Sequence, residues 1–429
     1  MEPIRLLRLD FLGFTLSTGA LFLLGLKIGE LTSELSPEIR NLLFLSELLL
    51  SLLATAILFS LSFKFLRTPK PPEIESDVRV SVIIPCYNEE SVIERCVKSV
   101  LSSYYENKEV IIVYEEDCSD RTPEIAKELS KRYENVRALK NEFHRSKAGA
   151  LNFGVLNSSG EIIGILDADH IISPDVLSRA VSWLSSDRRI GAVDGSCTVR
   201  NRGKGILARI YGNEFSAGLD ISRFIEELFS GSHLVYGSNV FIRRDVLEEI
   251  GGFDPSSIGE DKEISLRLLQ RGYRTLLDLG MISMELSPVN IEDWWNQRKR
   301  WDRTRFQLIR KYMSLLRKRG RFKFVGLPIL FLQAIAYPMG ILYTAHLLAS
   351  LMLFPQQFFI MILPFFPLSL IYVMRALRDV RLGCADWKDI ILSSVIPLHI
   401  LTRAFTGFKA FWEEITCARA AWRKISRVE

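Results

Sequence analysis

Between Phe324 and Met374 the chain carries no Asp, Glu, Lys or Arg. A bilayer-spanning helix needs about 20 apolar residues, so this run fits two spans joined near Pro355. Three more apolar runs lie outside the charged middle. Phe11 to Leu26 follows Arg5 and Arg8 and has the length of a signal-peptide core. No small-residue cleavage site follows it and a second apolar run begins soon after, so it reads as a short spanning helix. That second run, Asn41 to Phe63, is interrupted once by Glu47. A carboxylate there lies near the outer interface or is functional; its place within two turns of the start favours the interface. Ile390 to Thr402 is shorter than a span and fits a re-entrant or interfacial segment that does not cross.

Basic residues orient these segments. Lys64, Arg67 and Lys70 follow the second run. Arg317, Lys318, Arg319, Arg321 and Lys323 precede the third, and Arg375, Arg378 and Arg381 follow the fourth. Glu30, Glu34 and Glu38 lie between the first two. The expectation is an integral, multi-pass protein with its termini and its charged middle in the cytosol. The 48% of hydrophobic residues and 24% of charged ones are thus segregated along the 429 residues. The net charge of +5 suits anionic headgroups and phosphorylated substrates, with no motif for nucleic acid. Cys86, Cys96, Cys118, Cys197, Cys384 and Cys417 are scattered without CxxC or a paired His, which argues against a zinc site and for reduced thiols.

The Pro-containing linker Thr68–Pro72 opens an α/β pattern. Strands are expected at Arg79–Pro85, Glu109–Tyr114, Val136–Leu139 and Glu161–Leu166. Helices are expected at Ser91–Ser102, Pro123–Arg132 and Ala148–Leu156. This alternation predicts a parallel sheet covered on both faces, with ligands beyond the carboxyl ends of its strands. The first strand runs into Cys86-Tyr87-Asn88-Glu89-Glu90, without a glycine-rich phosphate loop. The second runs into Glu115-Glu116-Asp117-Cys118-Ser119-Asp120, and the Glu161 strand into Asp167-Ala168-Asp169. Clustered carboxylates repel unless a cation or donor groups neutralise them, and a hard divalent ion shared with substrate phosphates does so most simply. The alternative is three solvated acidic turns.

From about Val80 to Gln307 the chain resembles the family 2 glycosyltransferases, with their Rossmann-like GT-A fold. The resemblance rests on Val82–Glu89, on Ser146-Lys147-Ala148-Gly149-Ala150-Leu151-Asn152 and on Asp167-Ala168-Asp169. It continues through Gly237-Ser238-Asn239, Gly251-Gly252-Phe253-Asp254, Gly259-Glu260-Asp261 and Gln297-Arg298-Lys299-Arg300-Trp301. This QxxRW beside apolar helices marks the branch that holds hyaluronan, cellulose and poly-N-acetylglucosamine synthases and ceramide glucosyltransferases. Two positions depart from the pattern. Glu115-Glu116-Asp117-Cys118 replaces Asp-Asp-Gly-Ser, which leaves the base open, and Asp302-Arg303-Thr304 stands where a glycine is common after QxxRW.

The resemblance implies an α/β GT-A domain in the cytosol plus an α-helical transmembrane region. It implies an inverting transfer from a nucleotide-diphosphate sugar, of UDP type, to a lipid-linked or short-glycan acceptor. The alternatives are a processive β-polysaccharide synthase and a non-catalytic membrane scaffold. Asp261 is then the general base, and Asp169 with Asp167 holds Mg²⁺ or Mn²⁺. Pro85, Tyr87, Asn88, Glu89, Glu116, Lys147, Asp167, Ala168, Gln297, Arg298 and Arg300 bind the donor. Glu260, Trp301, Gly237, Ser238 and Asn239 face the acceptor. The expected segments are 1–72 (two helices and linker), 73–290 (catalytic), 291–323 (amphipathic, interfacial, with Trp294 and Trp295 for packing or anchoring) and 324–429 (transmembrane region and basic tail). His144, His170, His233, His346 and His399 are read as structural.

Overall fold

The structure is a computed structural model that describes residues 34–66, 70–74, 76–257, 259–312, 343, 346–347, 350–351, 355–400 and 403–416. The Phe11 to Leu26 run, the Phe324 half of the charge-free run, Cys417 and the basic tail lie outside them. Two compact units are present. One takes its described residues from Thr68–Ser287 and Arg310–Ile329, the other from Met1–Arg67, Pro288–Ile309 and Leu330–Ser426.

The first unit is built on one eight-stranded sheet of order β3-β2-β1-β4-β7-β6-β8-β5. Its strands are β1 (Val80–Cys86), β2 (Lys108–Tyr114), β3 (Val136–Lys140), β4 (Ile162–Ile165), β5 (Ile171–Ile172), β6 (Ile190–Val199), β7 (Val240–Arg243) and β8 (Arg274–Glu285). β1 to β4 pair in parallel, as the strand–helix alternation predicts. The second half of the sheet does not follow that expectation. β7 runs antiparallel to both β4 and β6, and β5 antiparallel to β8. The physical reason is local: β7 is reached from a long helix through an irregular segment and enters the sheet from the opposite end.

Alternate residues of each central strand feed two separate cores, as the two-residue period of a strand requires. Val82, Ile84, Val110 and Ile112 pack under α2 (Ile93–Leu101), α3 (Thr122–Arg132) and α5 (Val176–Ser186). Ile83, Ile111 and Val113 pack under α4 (Lys147–Leu156), α7 (Arg244–Glu249) and α8 (Glu260–Arg271). Register brings the strand ends into line. Cys86 pairs with Tyr114, and Ile83 with Ile165, so the turns after β1, β2 and β4 emerge at one edge of the sheet.

The second unit is helical. It contains α1 (Pro37–Leu66), most of α9 (Ile291–Tyr312), α10 (Pro355–Ile362), α11 (Phe365–Arg381), α12 (Trp387–Ile400) and α13 (Arg403–Ile415). Among the described residues, two stretches are helical, long and apolar enough to cross a membrane: Pro37–Phe59, with 23 residues, and Phe358–Arg381, with 24. Glu47 accepts a partner here, with its Oε1 3.1 Å from His346 Nε2. α12 is a 14-residue helix packed along α11, where Ser369 Oγ donates to the Ser394 carbonyl at 2.8 Å. Among the described residues the cysteines are free thiols.

Candidate active site

The turn after β1 is tied to the turn after β2. Asn88 takes the left-handed conformation at φ 56°, and its Oδ1 accepts the Ser119 N–H at 2.7 Å. The Glu89 N–H donates to Thr122 Oγ1 at 2.6 Å and the Glu90 N–H to Asp120 Oδ2 at 3.0 Å. Pro85 is the penultimate residue of β1 and Tyr87 follows the strand, with the Arg145 guanidinium 5.7 Å from the Tyr87 ring centre. Glu116 is exposed and pairs with Lys140 Nζ at 2.6 Å. Its neighbour Glu115 is half-buried and accepts from Asn141 Nδ2 at 2.8 Å; burial raises its carboxyl above the usual range. Sequence reasoning missed Asn141, whose role depends on two turns meeting.

α4 starts at a tightly built cap. Ser146 Oγ accepts the Gly149 N–H at 3.1 Å. A Cβ on Gly149 would stand 1.8 Å from the His144 carbonyl oxygen, so only glycine fits. Gly149→Ala is therefore expected to cost about 1–3 kcal/mol. Thermal unfolding checks it, and an unchanged melting temperature would refute the clash. One turn on, Asn152 clasps the Phe253 backbone with two 2.8 Å bonds, one to its carbonyl and one from its N–H.

Lys147 is the meeting point. Its Nζ lies 2.7 Å from Asp167 Oδ1 and 3.3 Å from Glu260 Oε1, and donates to the Gly237 carbonyl at 2.8 Å. A Cβ on Gly237 would lie 3.2 Å from that Nζ and 3.3 Å from Asp261 Oδ2. One ammonium thus joins segments spread from residue 147 to residue 261. Burial would lower the Lys147 pKa, but Asp167, Glu260 and Asp261 outweigh it and raise it. Burial also raises the Glu260 carboxyl, against the pull of Lys147.

The Asp167 N–H donates to Ser238 Oγ at 2.9 Å, and Asp169 is buried. The carboxylate oxygens of Asp167 and Asp169 and a ring nitrogen of His170 all lie within 4.8 Å of one another. His170 Nδ1 sits 3.2 Å from Ser283 Oγ and its Nε2 3.3 Å from Glu285, which accepts from Tyr211 Oη at 2.9 Å. Both ring nitrogens have protein partners, so the hard oxygen donors toward a cation are the two carboxylates. Burial lowers the His170 pKa, but the Glu285 hydrogen bond and nearby Asp169 more than restore it.

A buried ionic network supports Gly237-Ser238-Asn239. Asp194 pairs with Arg223 at 2.7 Å and accepts the Tyr236 N–H at 3.0 Å; Arg223 also reaches Asp220 at 2.6 Å. Asn239 is left-handed at φ 57° and donates to the Met281 carbonyl at 2.9 Å. His233 Nε2 lies 3.4 Å from Asp194, in the structural role expected of it. Nothing local in the sequence marks Asp194 or Arg223.

In the helical unit, Gln297, Arg298, Arg300 and Trp301 sit on α9. Gln297 and Arg298 are buried, and the Arg298 guanidinium stacks 4.9 Å from the Trp301 ring centre. Trp294 is buried, so it packs rather than anchors.

Residues 81–251 match the model of Glycosyl transferase family 2. The chain carries a family 2 glycosyltransferase domain. Among curated relatives of this glycosyltransferase domain, a probable glycosyltransferase, YdaM, of Bacillus subtilis (strain 168) is 30% identical over 251 residues, 58% of this chain and 60% of the relative. A poly-beta-1,6-N-acetyl-D-glucosamine synthase of Staphylococcus epidermidis is 29% identical over 258 residues, 60% of this chain and 61% of that protein. The chain therefore spans about three fifths of the length of these relatives. The mannosyltransferase PcManGT of Pyrobaculum calidifontis, solved with GDP-Man and Mn²⁺, superposes with a TM-score of 0.56 at 22% identity, covering 88% of this chain and 99% of that one. That likeness places the α/β unit in the GT-A fold.

Proposed function

We propose that this chain is an inverting glycosyltransferase of the cytosolic membrane face, moving a sugar from a nucleotide-diphosphate donor of UDP type to a lipid-linked or short-glycan acceptor. The observation that carries the reading is the convergence of Asp167, Glu260 and the Gly237 carbonyl on the Lys147 ammonium, beside Asp261. In this reading the donor-side Lys147 and Asp167 meet the acceptor-side Gly237 and Glu260 at that ammonium.

Asn88 and Glu116 contact the nucleoside, with Pro85, Tyr87, Glu89 and Ala168 lining its seat. Lys147 binds the diphosphate oxygens through charge-assisted hydrogen bonds, and the QxxRW resemblance assigns Gln297, Arg298 and Arg300 to the donor as well. Asp167 and Asp169 hold Mg²⁺ or Mn²⁺; when bound, the ion supplies positive charge to the leaving diphosphate. The neighbour solved with GDP-Man and Mn²⁺ supports both a nucleotide-sugar donor and a divalent ion. Gly237, Ser238, Asn239, Glu260 and the Trp301 face position the acceptor. Its hydroxyl oxygen bonds to the anomeric carbon as the carbon–phosphate oxygen bond breaks. The diphosphate leaves with the electron pair, the proton passes to Asp261, and the anomeric centre inverts.

The domain plan follows: residues 1–72 and 324–429 in the membrane with their basic flanks in the cytosol, 73–290 catalytic, and 291–323 at the interface. The apolar helices Pro37–Phe59 and Phe358–Arg381 support membrane residence. A second reading, a processive β-polysaccharide synthase, is favoured by the poly-N-acetylglucosamine synthase relatives. Equilibrium dialysis of the detergent-purified chain with UDP and GDP tests the donor site. One nucleotide is expected to be retained with Mn²⁺ and to lose roughly tenfold or more in affinity with EDTA. Retention of neither would overturn the assignment.

A further inference from the structure

Asp302-Arg303-Thr304, which departs from the family pattern after QxxRW, has a partner in the same unit. Lys299 Nζ lies 3.1 Å from Glu413 Oε1. Arg303 lies 3.6 Å from Glu413 Oε2 and 3.5 Å from Glu414 Oε2. Asp302 is fully buried; its Oδ2 accepts from Thr406 Oγ1 at 2.8 Å and its Oδ1 from Arg305 at 2.8 Å. The rings of Phe306 and Phe411 stand 5.3 Å apart.

Both sides of this contact are helical stripes. Lys299, Asp302, Arg303 and Phe306 stand at i, i+3, i+4 and i+7 of α9, which places them on one face. Thr406, Ala410, Glu413 and Glu414 stand at i, i+4, i+7 and i+8 of α13, and Ala410 is fully buried. At about 100° per residue, Gln297 and Trp301 fall on the opposite side of α9 from this stripe and Arg300 on its flank. The ion pairs are largely screened from water. Arg303 is 9% exposed, Glu414 11% and Glu413 16%, so they lose less to solvent than surface pairs do.

We infer that Glu413, Glu414 and Thr406 are positioning residues, holding the back of α9 so that Gln297, Arg300 and Trp301 keep a fixed presentation. The inference rests on the proposed donor and acceptor roles of those three residues. The charges at 299, 302 and 303 thereby do what a flexible glycine cannot: they lock the helix that carries the motif to the C-terminal helix.

The test uses the full-length protein in detergent with its nucleotide-sugar donor. Glu413→Gln with Glu414→Gln is expected to raise the donor KM roughly tenfold or more while kcat changes less, because misplacement weakens binding before it removes chemistry. Lys299→Glu alone is expected to behave likewise, and Lys299→Glu with Glu413→Lys to recover most of the wild-type KM. A merely structural contact would lower thermal stability without this kinetic split. Unchanged kinetics in the glutamine variant, or no recovery in the charge-swapped pair, would overturn the inference while wild-type turnover stands. A wild-type protein without turnover on any donor would instead sink the transferase reading, and the positioning roles with it.

Discussion

Asp261→Asn is expected to lower sugar transfer by about 10²- to 10⁴-fold while nucleotide affinity stays close to wild type. The substitution removes basicity and little else. Asp261 Oδ1 accepts the Lys262 N–H at 2.8 Å, a bond that an asparagine oxygen can keep. A Cβ on Gly237 would stand 3.3 Å from Asp261 Oδ2, so the glycine leaves that oxygen room. Lys147 retains Asp167, Glu260 and the Gly237 carbonyl as partners, so the donor side is left intact. Initial rates of nucleoside diphosphate release, measured beside nucleotide binding, separate the two effects. A variant within threefold of the wild-type rate would move the base elsewhere, with Glu260 the next carboxylate in line.

Arg223→Met is expected to cost about 3–5 kcal/mol of stability, since it strips the cation from two buried carboxylates. Asp194 and Asp220 lie 2.7 and 2.6 Å from the guanidinium, and Arg223 also donates to the Gly195 carbonyl at 2.9 Å. Asp194 has a second task, because it holds the Tyr236 N–H just before Gly237-Ser238-Asn239. The loss should therefore appear twice, as a fall of roughly 6–20 °C in the melting temperature and as weakened acceptor use. Adding Asp194→Asn removes one orphaned charge and is expected to recover part of the stability. A melting temperature unchanged by Arg223→Met would show that the carboxylates find other cations.

The parts of this molecule that could be read from sequence are those set by local chemistry. The alternation of Val82, Ile83 and Ile84 marks a strand buried on both faces. The polar turns after β1, β2 and β4 come out at one edge of the sheet because parallel strands end on the same side. Lys147, Asp167, Glu260 and Asp261 were named from short motifs, and the fold brings those four together. What stayed hidden depends on distant pairings. The direction of β7 is set by how the chain returns after a long helix, and no residue in Val240–Arg243 encodes it. His170 reads as structural from sequence, but its partners Ser283 and Glu285 come from β8, far along the chain. Asp194 and Arg223 look ordinary until β6 and the helix Ile206–Ser230 pack together. The charges after Trp301 read as a departure from a pattern, and α13 gives them partners far along the chain.

Sugar transfer from a nucleotide donor is read out by release of nucleoside diphosphate. The purified chain, with Mn²⁺, native lipids and a panel of UDP- and GDP-sugars, is predicted to release diphosphate from one donor, and to stop doing so with EDTA. Extraction of the product into an organic or aqueous phase then tells glycolipid from polymer. No release from any donor by folded protein supplied with lipid and glycan acceptors would contradict the transferase reading, and would leave the scaffold reading in its place.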